Sequence, residues 1–298
     1  MAAVLGSTGA PAAVVGPTGA PQWLRRLGSS LLNIWALLGL LYLFLPIFVI
    51  VAFSFNEPGN TVDGSFRPTI RNVRNYQWGR FSLDAWSDPF RFEDLTDAFT
   101  NSLKIAAIVT FVATILGTLM AIALVKYRFR GKGPVSTFLI LPLTMPEIVL
   151  GLSLLALFVN AGVSLGFVTI FIAHVMFSVS YVATTVKARI RGFDWRLEEA
   201  AADLGATPSR TFFKVTLPII APGLFAAALL TFALSLDDFV ITYLNRGLET
   251  TFPVQVWLLK RSSVPVQVNV FGTMVLIASV TIALLGLVIQ RRRYRPIT

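Results

Sequence analysis

Three carboxylate side chains lie inside apolar stretches of this sequence, where an ionised group is costly. Glu147 lies in one apolar run, and Asp237 and Asp238 are adjacent in another. An ionised group that faces lipid costs on the order of a few kcal/mol, so each should face a partner group or a wet cavity. Pro142 and Pro146 can loosen backbone hydrogen bonds near Glu147, as expected beside a cavity. Carboxylates at different depths would attract the ammonium groups of an organic cation in turn, so the pattern predicts a path for cations.

Other roles for the same side chains are open. Neighbouring positions on a helix differ by about 100°, so Asp237 and Asp238 cannot both point straight into one cavity. In the alternative interpretation, one of them caps a broken helix or bonds a neighbouring span, and Glu147 pairs with a basic residue of another chain. His174 is the single histidine and has no clustered metal ligands nearby. This favours a hydrogen-bonded structural histidine over a proton relay.

The elements that must hold these groups are membrane helices. Apolar residues make up 55% of the 298-residue chain and charged residues only 13%, which is too little charge for the surface of a soluble domain. A bilayer core about 30 Å thick needs roughly 20 apolar residues in a helix. Six stretches qualify, at about 31–53, 99–125, 136–159, 167–184, 219–243 and 270–290. The sequence therefore predicts an all-α polytopic membrane protein with six transmembrane helices.

Basic residues give these spans a direction. Most of the 25 lysines and arginines gather in four clusters, at 25–26, 126–132, 187–214 and 291–295. If the N-terminus lies inside, all four clusters are cytoplasmic, as the positive-inside rule requires, and both termini are predicted to be cytoplasmic. The net charge of +10 then reflects topology, and no nucleic-acid partner is predicted. Residues 1–22 are predicted to be a disordered cytoplasmic tail, and residues 23–298 a single transmembrane domain.

A polar loop, residues 187–218, is the longest predicted cytoplasmic connection. Acidic residues favour a helix start in its middle, and Gly205 can take the left-handed conformation that ends such a helix. Thr207-Pro208 has the pattern of a cap and first residue of a second short helix, which Pro218 is expected to end. The residues singled out in this loop are Glu199, Ala200, Ala201, Gly205, Phe212, Phe213, Leu217 and Pro218. An amphipathic connector on the membrane surface is the alternative interpretation.

The sequence lacks the motifs of an enzyme that converts energy. It has no G-x-x-x-x-G-K-[ST] loop, so it is not predicted to cradle ATP phosphates by that route. It has no cysteine, which removes disulfides, zinc–thiolate sites and thiol nucleophiles. No catalytic residue, metal site or cofactor is therefore predicted in this chain.

The 187–218 loop resembles the EAA loop of bacterial ABC importer permeases, in which Glu-Ala-Ala, three residues, Gly and nine residues precede Ile-x-Leu-Pro. The residues that match in register are Glu199, Ala200, Ala201, Gly205, Leu217 and Pro218, while Val215 replaces the isoleucine. The resemblance implies a type I importer permease fold, with coupling helices that dock in a cleft of a separate ATP-binding subunit. Closure of two such subunits, which hold ATP and Mg²⁺, would switch the pore between outward and inward openings.

Three further segments resemble the second permease subunit of spermidine/putrescine-type transporters: residues 127–132, 191–194 and 235–238. The last of them adds Ser235 to Glu147, Asp237 and Asp238 as candidate residues of the substrate path. The resemblance implies a heterodimer with a different permease, an extracytoplasmic solute-binding protein and a place in the bacterial inner membrane. Another cargo stays open, such as an amino-acid derivative, an organophosphonate or ferric iron. An ion-driven carrier or channel is a third reading, but it gives the 187–218 loop no purpose.

Overall fold

The computed structural model describes residues 22–57, 59–62, 65–68, 78–260 and 264–293. The predicted tail of residues 1–22 lies outside these ranges except for Gln22, so the tail stays a prediction. Contacts divide the chain into two compact units, Met1–Ala52 and Phe53–Thr298. The first contains most of helix α1, Gln22–Phe53. Its apolar part, Leu31–Phe53, is long and apolar enough to cross a membrane.

The described part of the second unit is helical apart from loops and two short antiparallel ribbons near its start. Strand β1 (Asn56–Glu57) pairs with β4 (Arg80–Phe81), and β2 (Gly59–Val62) pairs with β3 (Ser65–Pro68). The helices of this unit follow in chain order: α2 Asp84–Ser87, α3 Glu93–Lys126, α4 Lys132–Thr144, α5 Glu147–Asn160, α6 Phe167–Ile190, α7 Arg196–Asp203, α8 Pro208–Thr211, α9 Leu217–Asp237, α10 Val240–Asn245, α11 Phe252–Leu259 and α12 Val266–Arg293. A π-helical turn, Phe212–Thr216, joins α8 to α9.

Among the described residues, five helices are long and apolar enough to cross a membrane, and the number is six when the bent pair of α4 and α5 is counted as one span. Helices α1, α3, α6 and α12 contain the first, second, fourth and sixth predicted spans and extend beyond them. The prediction of six spans in an all-α fold is confirmed. The third and fifth spans are not the continuous helices that the apolar runs suggested.

The predicted third span, 136–159, is broken. Helices α4 and α5 meet at an angle of 111°, and Met145 between them is extended, with φ −77° and ψ 140°. Pro146 causes the break, because proline disfavours helical geometry in the preceding residue and has no N–H for a helical hydrogen bond. The loosened backbone predicted near Glu147 is thus a complete interruption of the span.

The predicted fifth span, 219–243, breaks at Asp238, which is extended between α9 and α10 with φ −62° and ψ 124°. At its other end, α9 begins at Leu217 with Pro218 in its first turn. The expectation that Pro218 ends a separate short helix is wrong. The helical path continues past Pro218 because a π turn, Phe212–Thr216, directly precedes it, and α8, the π turn and α9 form one 30-residue candidate span.

Helices α3, α6 and α9 pack together and form the framework of the second unit. Their shared core includes Val182 and Val186 of α6 and Ile220 of α9, all nearly fully buried. Gly117 of α3 lies against α6 so closely that a Cβ atom there would be 2.6 Å from the Cβ of Val182. The broken segments attach to this framework, since α10 packs on both α5 and α6.

Candidate functional site

The two helix breaks border one cavity of about 190 Å³. Glu147 at the start of α5 and Asp237 at the end of α9 both line it, and so does part of Asp238. The rest of the lining is largely apolar and aromatic, with Phe177 and Tyr181 from α6. We call this space the break cavity. Three of the four residues predicted for the substrate path therefore lie around one space, although the predicted role itself stays a prediction.

Glu147 and Asp237 differ in their relation to helix ends. Glu147 is the first residue of α5, where the positive end of the helix dipole stabilises a carboxylate. Asp237 is the last residue of α9. All residues of α9 are described in the structure, and its last turn contains no basic residue. The negative end of that helix and the Asp237 carboxylate add together there. Both side chains belong to exposed residues, so this side of the break cavity favours a bound cation.

Asp238 points away from the opening and into the protein, with a side chain only 5% exposed. Its Oδ2 accepts hydrogen bonds from the backbone N–H of Thr242, at 2.7 Å, and from the Thr242 hydroxyl, at 2.8 Å. These bonds replace helical ones at the start of α10, so Asp238 holds the break open. The alternative interpretation in which one aspartate caps a broken helix therefore describes Asp238.

A buried histidine joins this break to α6. His174 Nε2 lies 3.2 Å from Asp238 Oδ2 and 2.9 Å from Thr242 Oγ1, and Nδ1 lies 2.8 Å from Ser235 Oγ. We call His174, Ser235, Asp238 and Thr242 the polar core network. The expectation of a hydrogen-bonded structural histidine agrees with these contacts. Ser235 belongs to the network, behind the break cavity, and does not line it.

The 187–218 loop forms the predicted helix–turn–helix. Helix α7 ends where Gly205 adopts φ +79°, and the Gly205 N–H donates to the carbonyl of Ala202 at 2.8 Å. The Thr207 hydroxyl accepts from the N–H of Arg210 at 3.4 Å and caps α8, with Pro208 in the first turn. The turn therefore depends on a backbone conformation that side chains other than glycine adopt only with strain.

The predicted residues of this loop differ in exposure. Glu199, Ala200, Gly205, Phe213 and Pro218 are exposed, whereas Ala201, Phe212 and Leu217 are half-buried. Three large apolar side chains of the loop are exposed, Leu204 at 88%, Phe213 at 64% and Leu197 at 45%. Exposed apolar groups beside a polar turn are typical of a surface that another protein covers.

The contact that holds α7 to the rest of the unit was not predicted. Glu198 accepts a hydrogen bond from Lys126 Nζ at the end of α3 and another from the Thr216 hydroxyl, at 2.6 Å. Lys126 also lies over the Trp195 ring, 5.2 Å from its centroid. The sequence signals a favourable acidic residue at a helix start but nothing about a lysine 72 positions away. Glu198, next to the predicted Glu199, is therefore the anchoring carboxylate.

This difference between adjacent glutamates gives a first prediction. Glu198→Ala should lower the free energy of unfolding by about 1–3 kcal/mol, because the variant leaves Lys126 and the Thr216 hydroxyl without their acceptor. Glu199→Ala removes an exposed side chain and should change the free energy of unfolding by no more than about 0.5 kcal/mol. Thermal unfolding of the two purified variants in the same detergent measures both. Equal destabilisation by the two variants would contradict the assigned anchor.

Comparisons with known proteins place the chain in a family. Residues 113–294 match the family described as binding-protein-dependent transport system inner membrane component. The chain is 36% identical over 252 residues to the spermidine/putrescine transport system permease protein PotC of Haemophilus influenzae, covering 84% of this chain and 93% of that protein. It is 38% identical over 248 residues to the putrescine transport system permease protein PotI of Escherichia coli, covering 80% and 83%.

Solved structures share the fold at low sequence identity. A chain of a bacterial ABC transporter involved in the import of alginate matches with a TM-score of 0.59 and 17% identity, covering 93% of this chain and 99% of that one. A chain of the MetNI methionine ABC transporter matches with a TM-score of 0.54 and 19% identity, covering 67% and 96%. With the family match over residues 113–294 and the identities above, the chain belongs to the inner membrane components of binding-protein-dependent transport systems.

Proposed function

We propose that this chain is a permease subunit of an ATP-driven importer of polyamines and forms half of its translocation path. A second, different permease forms the other half. The observation that carries the proposal is the break cavity, in which Glu147 and Asp237 lie at two interrupted membrane helices. Interrupted helices at a binding site are a recurring feature of membrane transporters, because their ends offer charges and free backbone groups to the substrate.

The lining of the break cavity fits a polyamine. Such a molecule carries ammonium groups spaced along a flexible apolar chain. The carboxylates of Glu147 and Asp237 match the ammonium groups, while Phe177, Tyr181 and Leu234 offer apolar and aromatic surface to the methylenes between them. Aromatic faces also attract cations. The names of the relatives, which include spermidine/putrescine and putrescine permeases, support the same substrate class.

The energy for transport comes from separate ATP-binding subunits in this proposal. Two copies bind ATP and Mg²⁺, and one receives the 187–218 loop of this chain. Support comes from the exposed Leu204 and Phe213 beside the Gly205 turn. These apolar groups would be buried in a cleft of the partner, and the rigid turn would transmit its movement.

The proposed orientation puts both termini and the 187–218 loop in the cytoplasm of a bacterium, with the chain in its inner membrane. Helix α3 ends at Lys126, and α6 carries Lys187 and Arg189 in its last turn. These cations lie at the helix ends nearest the loop, as the positive-inside rule requires. A solute-binding protein would then deliver substrate to the opposite face.

Two other functions compete with this proposal. The same kind of importer can carry a different small solute, and the carboxylates would then bind another cation or a zwitterion. An ion-driven carrier or channel would use them as proton or cation sites. The exposed helix–turn–helix favours the importer, because a carrier that does not use ATP has no need of it.

Uptake measurements test the function directly. Deleting the gene should remove most high-affinity uptake of radiolabelled spermidine and putrescine, and the full-length chain expressed in trans should restore it. Uptake should stop when cellular ATP is depleted and persist when an ionophore dissipates ion gradients at constant ATP. Unchanged polyamine uptake in the deletion strain would contradict the substrate class. Uptake that follows the ion gradient would contradict the energy source.

A further inference from the structure

A second cavity lies between α4 and α6, away from the break cavity. Its volume is about 220 Å³. Residues from two turns of α4 and from the end of α6 line it, among them Ser136, Leu139, Ile140, Ala183, Lys187 and Arg191. Lys187 and Arg191 belong to the start of the 187–218 loop, but none of the residues singled out for the substrate path or for ATPase docking lines this cavity. We call this space the basic groove.

The charge of the basic groove is opposite to that of the break cavity. Its charged lining residues are the cations Lys187 and Arg191, and none of its lining residues is a carboxylate. Lys187 Nζ donates to Ser136 Oγ at 3.2 Å, which fixes the ammonium group beside the groove and leaves two of its N–H groups for a ligand. Among the described residues, no carboxylate lies within ion-pair distance of either cation. Such a site attracts an anion and repels a polyamine.

Most of the remaining lining residues are apolar, which favours a ligand that has both a charged and an apolar part. Leu139, Ile140 and Ala183 supply an apolar wall below the two cations. Ile140 is a large side chain on α4 that is 50% exposed, so the apolar wall is open to a ligand. An inorganic anion would use the cations alone, whereas a ligand with an acyl chain would also cover the apolar wall.

The groove lies where a membrane helix changes from apolar to basic. It occupies the last turns of α6, which ends at Ile190 with Lys187 and Arg189 in its last turn. This is the depth at which lipid phosphates meet the ends of membrane helices, and basic pockets between such helices bind anionic headgroups. Depth, charge and apolar wall therefore agree on one kind of ligand.

We propose that the basic groove binds an anionic phospholipid, with the headgroup phosphate between Lys187 and Arg191 and the start of an acyl chain against Leu139 and Ile140. This site does not depend on the identity of the transported solute or on ATP-driven coupling. A bound lipid would brace α4 against α6, and α4 leads into the break at Pro146. Anionic lipid should therefore stabilise the folded chain.

Lipid retention by the purified full-length chain tests the proposal. After purification from nanodiscs that contain equal amounts of phosphatidylglycerol and phosphatidylcholine, native mass spectrometry gives the ratio of the two lipids bound. We expect a clear excess of phosphatidylglycerol for the unchanged chain. Lys187→Gln and Arg191→Gln should each reduce that excess by about fivefold, which corresponds to one interfacial cation. Arg191 is exposed, so its variant keeps the test valid if Lys187→Gln fails to fold.

Arg130→Gln is the matched control, because Arg130 is exposed in the connection that leads into α4 but does not line the groove. It should leave the lipid ratio unchanged. Equal losses in all three variants would overturn the proposal, since general interfacial charge would then explain the binding. Displacement of the lipid by millimolar inorganic phosphate would also overturn it, because the apolar wall would then contribute nothing.

Discussion

Replacing Gly205 with proline is expected to reduce uptake about 100-fold or more while the chain still inserts in the membrane. Gly205 has φ +79°, whereas proline is fixed near −65°. The Gly205 N–H donates to the carbonyl of Ala202, whereas proline has no N–H to donate. Destabilising the turn by about 3 kcal/mol lowers the fraction of chains with a correctly docked loop by roughly 100-fold. The measurement is uptake, with co-purification of the ATP-binding subunit as a second readout.

The chain contains a matched control for this change. Gly162 also has a positive φ, +67°, its N–H also donates to a carbonyl three residues back, and its surroundings are equally open. It follows α5, at the end opposite to the proposed docking face. Gly162→Pro should therefore leave the ATP-binding subunit bound. Gly205→Ala keeps the N–H and meets no neighbour, so it should cost about 1–2 kcal/mol of backbone strain, which is roughly a tenfold effect.

Co-purification separates docking from general damage. If Gly205→Pro leaves transport and the amount of bound ATP-binding subunit unchanged, the docking role of the 187–218 loop is wrong. If Gly162→Pro loses the subunit to the same extent, the effect is general disruption of the permease. A selective loss with Gly205→Pro supports the proposed function.

The parts of the molecule that the sequence predicts well have local causes. The turn at Gly205 follows from a glycine after an alanine-rich helix and from the Thr207-Pro208 start of the next helix, because the residues that cap a helix are its sequence neighbours. The spans follow from apolar run length in the same way. Four of the six predicted spans lie within single helices of the structure.

The parts of the molecule that the sequence predicts poorly depend on contacts between residues far apart in the chain. The break at Asp238 needs His174 from another helix, and the anchor of α7 needs Lys126, far away in the chain. An apolar run shows neither, because an interrupted span and a continuous one have the same composition. Pro146 predicts a loosened backbone near Glu147, but the angle of 111° between α4 and α5 cannot be predicted from composition.

One helix connects the two proposed sites. Helix α9 follows the π turn at the end of the 187–218 loop and ends at Asp237 beside the break cavity. Twenty-one helical residues span about 30 Å at 1.5 Å each. Movement of the loop would reach the break cavity through this helix. The polar core network joins this end of α9 to α6, since His174 contacts both Ser235 of α9 and Asp238 at the break.

The two adjacent aspartates should respond differently to the same substitution. Asp238→Asn weakens the acceptor of the Thr242 N–H and of His174, and it should lower the free energy of unfolding by about 1–3 kcal/mol. Asp237→Asn removes an exposed charge without a buried partner to disturb. It should leave stability within about 0.5 kcal/mol.

Transport should show the reverse pattern per molecule of folded protein. Asp237→Asn removes a negative charge from the end of α9, where it acts with the helix dipole, and a loss of about 1.4 kcal/mol in cation attraction corresponds to tenfold lower uptake efficiency. The loss should be greater for spermidine, which carries three ammonium groups, than for putrescine, which carries two. Asp88 is an exposed carboxylate outside the break cavity, so Asp88→Asn should change neither the free energy of unfolding nor the uptake efficiency. Polyamine uptake kinetics that are the same in Asp237→Asn, Asp88→Asn and the unchanged chain would exclude Asp237 from the path, since a charge beside the passing cation must alter its free energy.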